Sequence, residues 1–150
     1  MTPLSPFACP GPGNGNATGA QRVGQTFVAN GTGAIGSASF LLNGVSPDIG
    51  FVVEIRATQA GVPTATVLGT ATAFNLPTSG AATVIPVTFQ PKVPVQAGVT
   101  YALVITDIAK RGFAFPTRST GDCAGGFAVD TFATNAFGLS NSSLIITINP

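Results

Sequence analysis

The sequence predicts an all-β protein: a two-sheet antiparallel β-sandwich, jelly-roll-like, with an irregular Pro/Gly-rich N-terminal arm. Three observations carry this expectation. Apolar residues recur with a period of two in short runs, and no stretch shows a 3.6-residue period. The runs are bounded by turn formers, with 19 Gly and 12 Pro in 150 residues, as strands joined by tight connections require. Charged residues make up 7% of the chain, so the Lys and Glu that favour helices are scarce. The length suits a single domain with a proper core.

Taken in order, Met1 to Ala20 holds Pro3, Pro6, Pro10, Pro12 and several Gly, which punctuate against a helix or a regular ladder. This segment is expected to be an arm or linker, residues 1–20, and residues 21–150 a single β-sandwich domain. Strand candidates follow at Gln25 to Ala29 and Ile35 to Leu42. The clearest is Phe51 to Thr58, where Phe51, Val53, Ile55 and Ala57 would share one face and Val52, Glu54, Arg56 and Thr58 the other. Glu54 is expected to pair with Arg56 or with a cross-strand neighbour. Val67 to Phe74 is the next candidate. Ile85, Val87 and Phe89 then alternate with Val84, Pro86 and Thr88, and Pro86 argues for an edge strand or a bulge. Tyr101 to Ile105 is apolar on both parities, as a central strand would be. Phe113 to Phe115, Phe127 to Phe132 and Leu144 to Ile148 complete about eight or nine strands, a number that suits a sandwich.

Function is narrowed first by what is missing. The chain has no His, no Trp, one Tyr and six basic against five acidic residues. Most catalytic designs recruit an imidazole, a carboxylate pair, an activated lysine or a metal, so the protein is expected not to be an enzyme. A net charge of +1 with scattered basic residues provides no footprint for nucleic acid. The apolar runs are far shorter than the roughly 20 residues of a membrane helix, so membrane insertion is not expected. Met1 to Pro10 has neither the basic nor the apolar region of a secretory signal. The abundance of Thr, Ser, Gly, Asn and Ala nevertheless suits an extracellular or cell-surface β protein. Three sequons, beginning at Asn16, Asn30 and Asn141, are glycosylation candidates.

The runs QTFVANGTGAIGSASFLLNG, VVEIRATQAGVPTATVLGTATA, VTFQPKVPVQAGVTYALVI and DCAGGFA also carry a family resemblance. They resemble a bacterial extracellular β-sandwich module of jelly-roll, carbohydrate-binding-module-like character, found in secreted and surface multidomain proteins. The similarity covers about residues 25–150 and is sharpest in VEIRATQAGVPTATVLG and VQAGVTYALVI. There, Gly61 and Pro63 build one connection and Gly98 another. The resemblance implies a fold and a location more than an activity. The chain departs from the pattern near Phe113, Phe115 and Cys123, where members tend to carry Trp or Tyr, the rings on which a sugar face would stack. A binding face would have to draw on Phe113, Phe115, Asp122 and Asn135.

Gly31-Thr32-Gly33-Ala34-Ile35-Gly36 matches the spacing of a dinucleotide fingerprint. That motif must open a helix, whereas Ser37 to Leu42 reads as a strand, so these glycines are expected to form a turn. No cofactor is expected. A structural calcium ion needs six or more converging oxygens, and Asp48, Glu54, Asp107, Asp122 and Asp130 form no local cluster, so such a site would have to be assembled from distant loops. The two cysteines, Cys9 and Cys123, are disulfide candidates in an exported protein, within one chain or between neighbouring copies. Two functions remain: a non-catalytic structural or adhesive surface module, self-assembling into an oligomer or filament, and a carbohydrate-binding accessory module. The expected partners are other copies of the chain or neighbouring surface proteins, with a polysaccharide as the alternative.

Overall fold

A computed structural model of the chain describes residues 2–9, 15–20, 22–45, 50–74, 79–108, 113–118, 127–130, 138–140 and 143–150. The described residues form thirteen strands and no helix. In chain order these are β1 (Phe7–Cys9), β2 (Gly15–Ala20), β3 (Arg22–Val28), β4 (Gly33–Val45), β5 (Phe51–Gln59), β6 (Val62–Ala73) and β7 (Ser79–Val95). They continue as β8 (Thr100–Asp107), β9 (Phe113–Arg118), β10 (Phe127–Asp130), β11 (Gly138–Ser140), β12 (Ser143–Leu144) and β13 (Ile146–Asn149). One sheet runs β1-β13-β4-β9-β12, with β7 against β4 and β2 against β9; the other runs β11-β10-β3-β8-β5-β6. All the strand pairings are antiparallel. The protein is an all-β sandwich.

Alternation explains why the sheets close on one another. Phe51, Val53 and Ile55 of β5 are buried, and so are Ile85, Val87 and Phe89 of β7. Tyr101, Leu103 and Ile105 lie on β8, which is hydrogen-bonded on one side to β3 and on the other to β5, a central place that accounts for its apolar run. Phe40 of one sheet meets Phe51 of the other edge to face, with ring centroids 5.6 Å apart, a favourable arrangement for two aromatic quadrupoles. Among the described residues β7 is bonded to β4 alone, so Pro86 stands on an edge strand, where a proline is tolerated. Gly33 opens β4, and the glycine-spaced motif runs on into a strand.

Several features depart from the expected pattern. The arm is not irregular throughout: Phe7 pairs with Ile148 and Cys9 with Ile146, while β2 pairs with β9. Proline excludes a helix but leaves a sheet margin open, and Phe7 gains an apolar neighbour there, its ring stacked 5.9 Å from that of Phe27. The strand β3 is buried on both faces, with Gln25 and Thr26 enclosed alongside Val23 and Phe27.

The second face of β3 is covered by the tip of the β5–β6 hairpin. Ala60 and Gly61 both have positive φ, 52° and 76°, the geometry of a two-residue turn that matches the twist of a hairpin. Register shifts on either side of Arg56 bend the tip over the outside of the sheet. Val62 then packs on Ala102 and Val104, and Pro63 lies over Gly24. Arg56, 5% exposed, is sealed beneath and donates from Nη2 to Glu54 Oε1 at 2.7 Å and from Nη1 to the Thr64 carbonyl at 3.3 Å. The expected Glu54–Arg56 pair is thus present as a largely desolvated one.

Val93 of β7, in one sheet, covers Gly69 of β6 in the other. A Cβ at residue 69 would collide with Val93 Cγ2, so glycine is required by lack of space. Gly69→Val is expected to destabilise the fold by about 1–3 kcal/mol, as overpacking does. Thermal unfolding of the variant checks this, and a Val93→Ala partner should recover part of the loss.

Candidate functional site

One end of the sandwich carries a cleft of about 560 Å³. Its wall on one sheet comes from the start of β4 and the end of β7, with Thr32, Gly33, Pro94 and Val95. The facing wall comes from Ala57 of β5, Leu68 of β6 and Tyr101 of β8. The register shifts that bend the β5–β6 hairpin away leave Leu68 as a bulge residue between Gly69 and Val67. The cleft therefore opens where the two sheets part.

A short aromatic row backs this end. Phe27 and Tyr101 are directly paired across β3 and β8, with ring centroids 6.1 Å apart, and Phe7 extends the row from the arm. The Tyr101 hydroxyl accepts from the Gln96 backbone N–H at 3.0 Å, which fixes the ring and the turn that follows β7. Gly98, at φ +79°, completes that turn, and its N–H reaches the Ala29 carbonyl at 2.9 Å. Thr32 is held as well, because its hydroxyl accepts from the Ala97 N–H at 3.1 Å.

Chemically, the lining offers apolar surface from Ala57, Leu68, Pro94 and Val95 together with the polar groups of Thr32 and Gln96. A nucleophile needs a base within hydrogen-bond reach, and the residues lining this cleft include no carboxylate, amine or thiol. The arrangement offers apolar and hydrogen-bonding contact. Among the described residues, no group of three or more acidic or cysteine side chains is placed to hold a metal ion.

The residues singled out from the sequence lie elsewhere. Phe113 and Phe115 are on β9, paired with Ala20 and Ala17 of β2. Asp122, Asn135, Asn141 and Cys123 lie outside the described residues, as does Asp48. Asn16 is on β2 opposite Pro116. Asn30 is exposed beside the cleft, with its Oδ1 accepting from the Ser5 N–H at 3.1 Å. Asp107 is fully buried at the end of β8, Glu54 is engaged with Arg56, and Asp130 ends β10. Cys9 is buried at 2% exposure and is disulfide-bonded.

Sequence reasoning missed the cleft because its walls are drawn from five separate strands and turns. The one signal available was the lone Tyr, which its doubly apolar strand assigned to the core. Comparison with known proteins gives the fold and little else. No family model matches the chain, and no curated protein matches it. The solved structure of a clostridial cysteine protease, Cwp84 after propeptide cleavage, aligns with a TM-score of 0.64 at 14% identity. The alignment covers 96% of this chain and 39% of that one, so the chain spans about two-fifths of the protein it resembles.

Proposed function

We propose that this protein is a non-catalytic structural or adhesive module of an extracellular or cell surface, working by contact with copies of itself or with neighbouring surface proteins. The observation that carries this reading is the character of its outside. Four of the described charges are spent internally, for Arg56 pairs with Glu54, Arg22 donates to the Thr106 hydroxyl at 3.2 Å, and Asp107 is buried, while Lys92 stands exposed. Meanwhile Phe74, Val84, Ile108 and Leu68 stand exposed at 55%, 61%, 44% and 40%. Solitary soluble domains keep apolar patches small and rely on charge to stay apart, so a surface of this kind favours association.

The alternative, a carbohydrate-binding module, has the cleft in its favour, since apolar walls with a few polar groups suit a small ligand. Against it stands Tyr101, which is 7% exposed and has its hydroxyl committed to Gln96. Light scattering and negative-stain imaging over a concentration series separate the two readings. Oligomers or filaments that grow with concentration support the structural reading. A monomer at every concentration that is retained on polysaccharide columns supports the other.

A further inference from the structure

We propose that the outer edge of β6 is the seam through which two copies of this chain join, in an antiparallel two-fold pair centred on Ala71. The inference deepens the self-association reading above and rests on it. Its starting point is how the protein treats its sheet edges. An exposed edge presents unpaired N–H and C=O groups to any other strand, and natural proteins blunt such edges with prolines, lysines or extreme shortness. Here β1, β11 and β12 are three, three and two residues long, and the six-residue edge strand β2 is broken by a register shift in its pairing with β9. The long edge strand β7 carries Pro86, Pro91, Pro94 and Lys92, all exposed. The other long edge, β6, is left open. It is bonded to β5 alone, and among the described residues no strand runs along its other side. From Thr64 to Ala73 it reads TATVLGTATA, with no charge and no proline.

The occupant follows from the symmetry of the exposed side chains. Gly69 to Ala73 pairs in regular register with Ile55 to Phe51, so this stretch is straight enough to accept a further strand. Thr70 and Thr72 are exposed along it, and the exposed large residues Leu68 and Phe74 bracket it at equal distances from Ala71. In an antiparallel pair centred on Ala71, Thr70 stands across from Thr72 of the second copy, and Phe74 from its Leu68, each relation occurring twice. Cross-strand Thr–Thr and aromatic–aliphatic pairs are favourable contacts. Because the segment is uncharged, nothing repels its own copy. The strand is therefore complementary to itself, which is what a closed two-fold interface demands.

The test uses the full chain, with the dissociation constant measured by sedimentation. Thr70→Lys/Thr72→Lys sets like charges directly across the seam and should weaken association by at least about tenfold, since opposed like charges destabilise a strand pair. Thr70→Lys/Thr72→Glu sets opposite charges across it in the same register and should associate about as well as the unaltered chain. Thr88→Lys, exposed on β7, should leave association unchanged. Hydrogen exchange on the unaltered chain supplies a readout that needs no variant: amides of residues 69–73 should gain protection as concentration rises.

If the Lys/Lys variant associates as the unaltered chain does, the seam is elsewhere and only this inference falls. Equal weakening by the Lys/Lys and Lys/Glu variants overturns the centred register. An unaltered chain that stays monomeric at every concentration overturns self-association and this seam together. If protection of residues 69–73 appears only when a foreign strand peptide is added, a second copy is not the occupant.

Discussion

Truncating Leu103 or Ile55 to Ala is expected to cost the fold about 2–5 kcal/mol, the range for large-to-small changes at closed sites. Both side chains are fully buried, and they are direct partners across β8 and β5. Leu103 is also opposite Gln25 of β3, so its removal opens space in the middle of three adjacent strands. Each variant should therefore lower the melting temperature by about 2–4 °C for every kcal/mol lost in a chain of this size. Because the two residues touch the same space, the double variant should cost less or more than the sum by 0.5 kcal/mol or beyond, roughly the threshold for coupled neighbours. Chemical denaturation of the three variants checks this. A loss below about 0.5 kcal/mol for either single change would place that residue on a surface and overturn the packing.

Loss of the disulfide at Cys9 is expected to have an effect of similar size. The other cysteine of the sequence is Cys123, and a bond between them would close a loop of more than about 100 residues, worth up to roughly 4.7 kcal/mol in the chain-entropy account. It would also fix the path of the arm, whose Phe7 is stacked on Phe27. Cys123→Ala is the cleaner variant, because it leaves Cys9 as a buried thiol that packs like a small apolar group. A loss of about 2–5 kcal/mol, equalled by reduction of the unaltered chain, is the expected result. Mass spectrometry without reductant separates the routes: a monomer lighter by the hydrogens lost on oxidation supports an internal bond, and covalent ladders support a bond between copies. Two fully reactive thiols in protein purified under oxidising conditions would refute both.

Legibility in the sequence followed the range of the interaction. Phe51, Val53 and Ile55, like Ile85, Val87 and Phe89, declared their buried face because a strand sends successive side chains to opposite sides. The doubly apolar run from Tyr101 to Ile105 declared a central strand, and Pro86 an edge or a bulge, of which the structure has the edge. Gly61 and Gly98 declared turns, both realised at positive φ. Glu54 and Arg56 declared their pairing by standing two apart on the same strand face. Each of these signals is read within a few residues of its source.

What alternation does not convey is which element covers a given face. The sequence by itself determined an all-β sandwich, the inward set of its main strands and the scarcity of ionisable groups. Only the tertiary structure decided that the hairpin tip folds over β3 and β8, so that Pro63 meets Gly24 and Arg56 is enclosed with Glu54. It also decided that Phe7 and Cys9 of the arm enter the sheet against β13, and that Leu68, Pro94 and Tyr101 meet around one cleft. The physical reason is common to all three. Backbone hydrogen bonds between distant strands carry no residue code of their own, and the bulges that redirect β6 act through the register of its partner β5. Local pattern fixed which way each side chain faces, and non-local pairing fixed what it meets there.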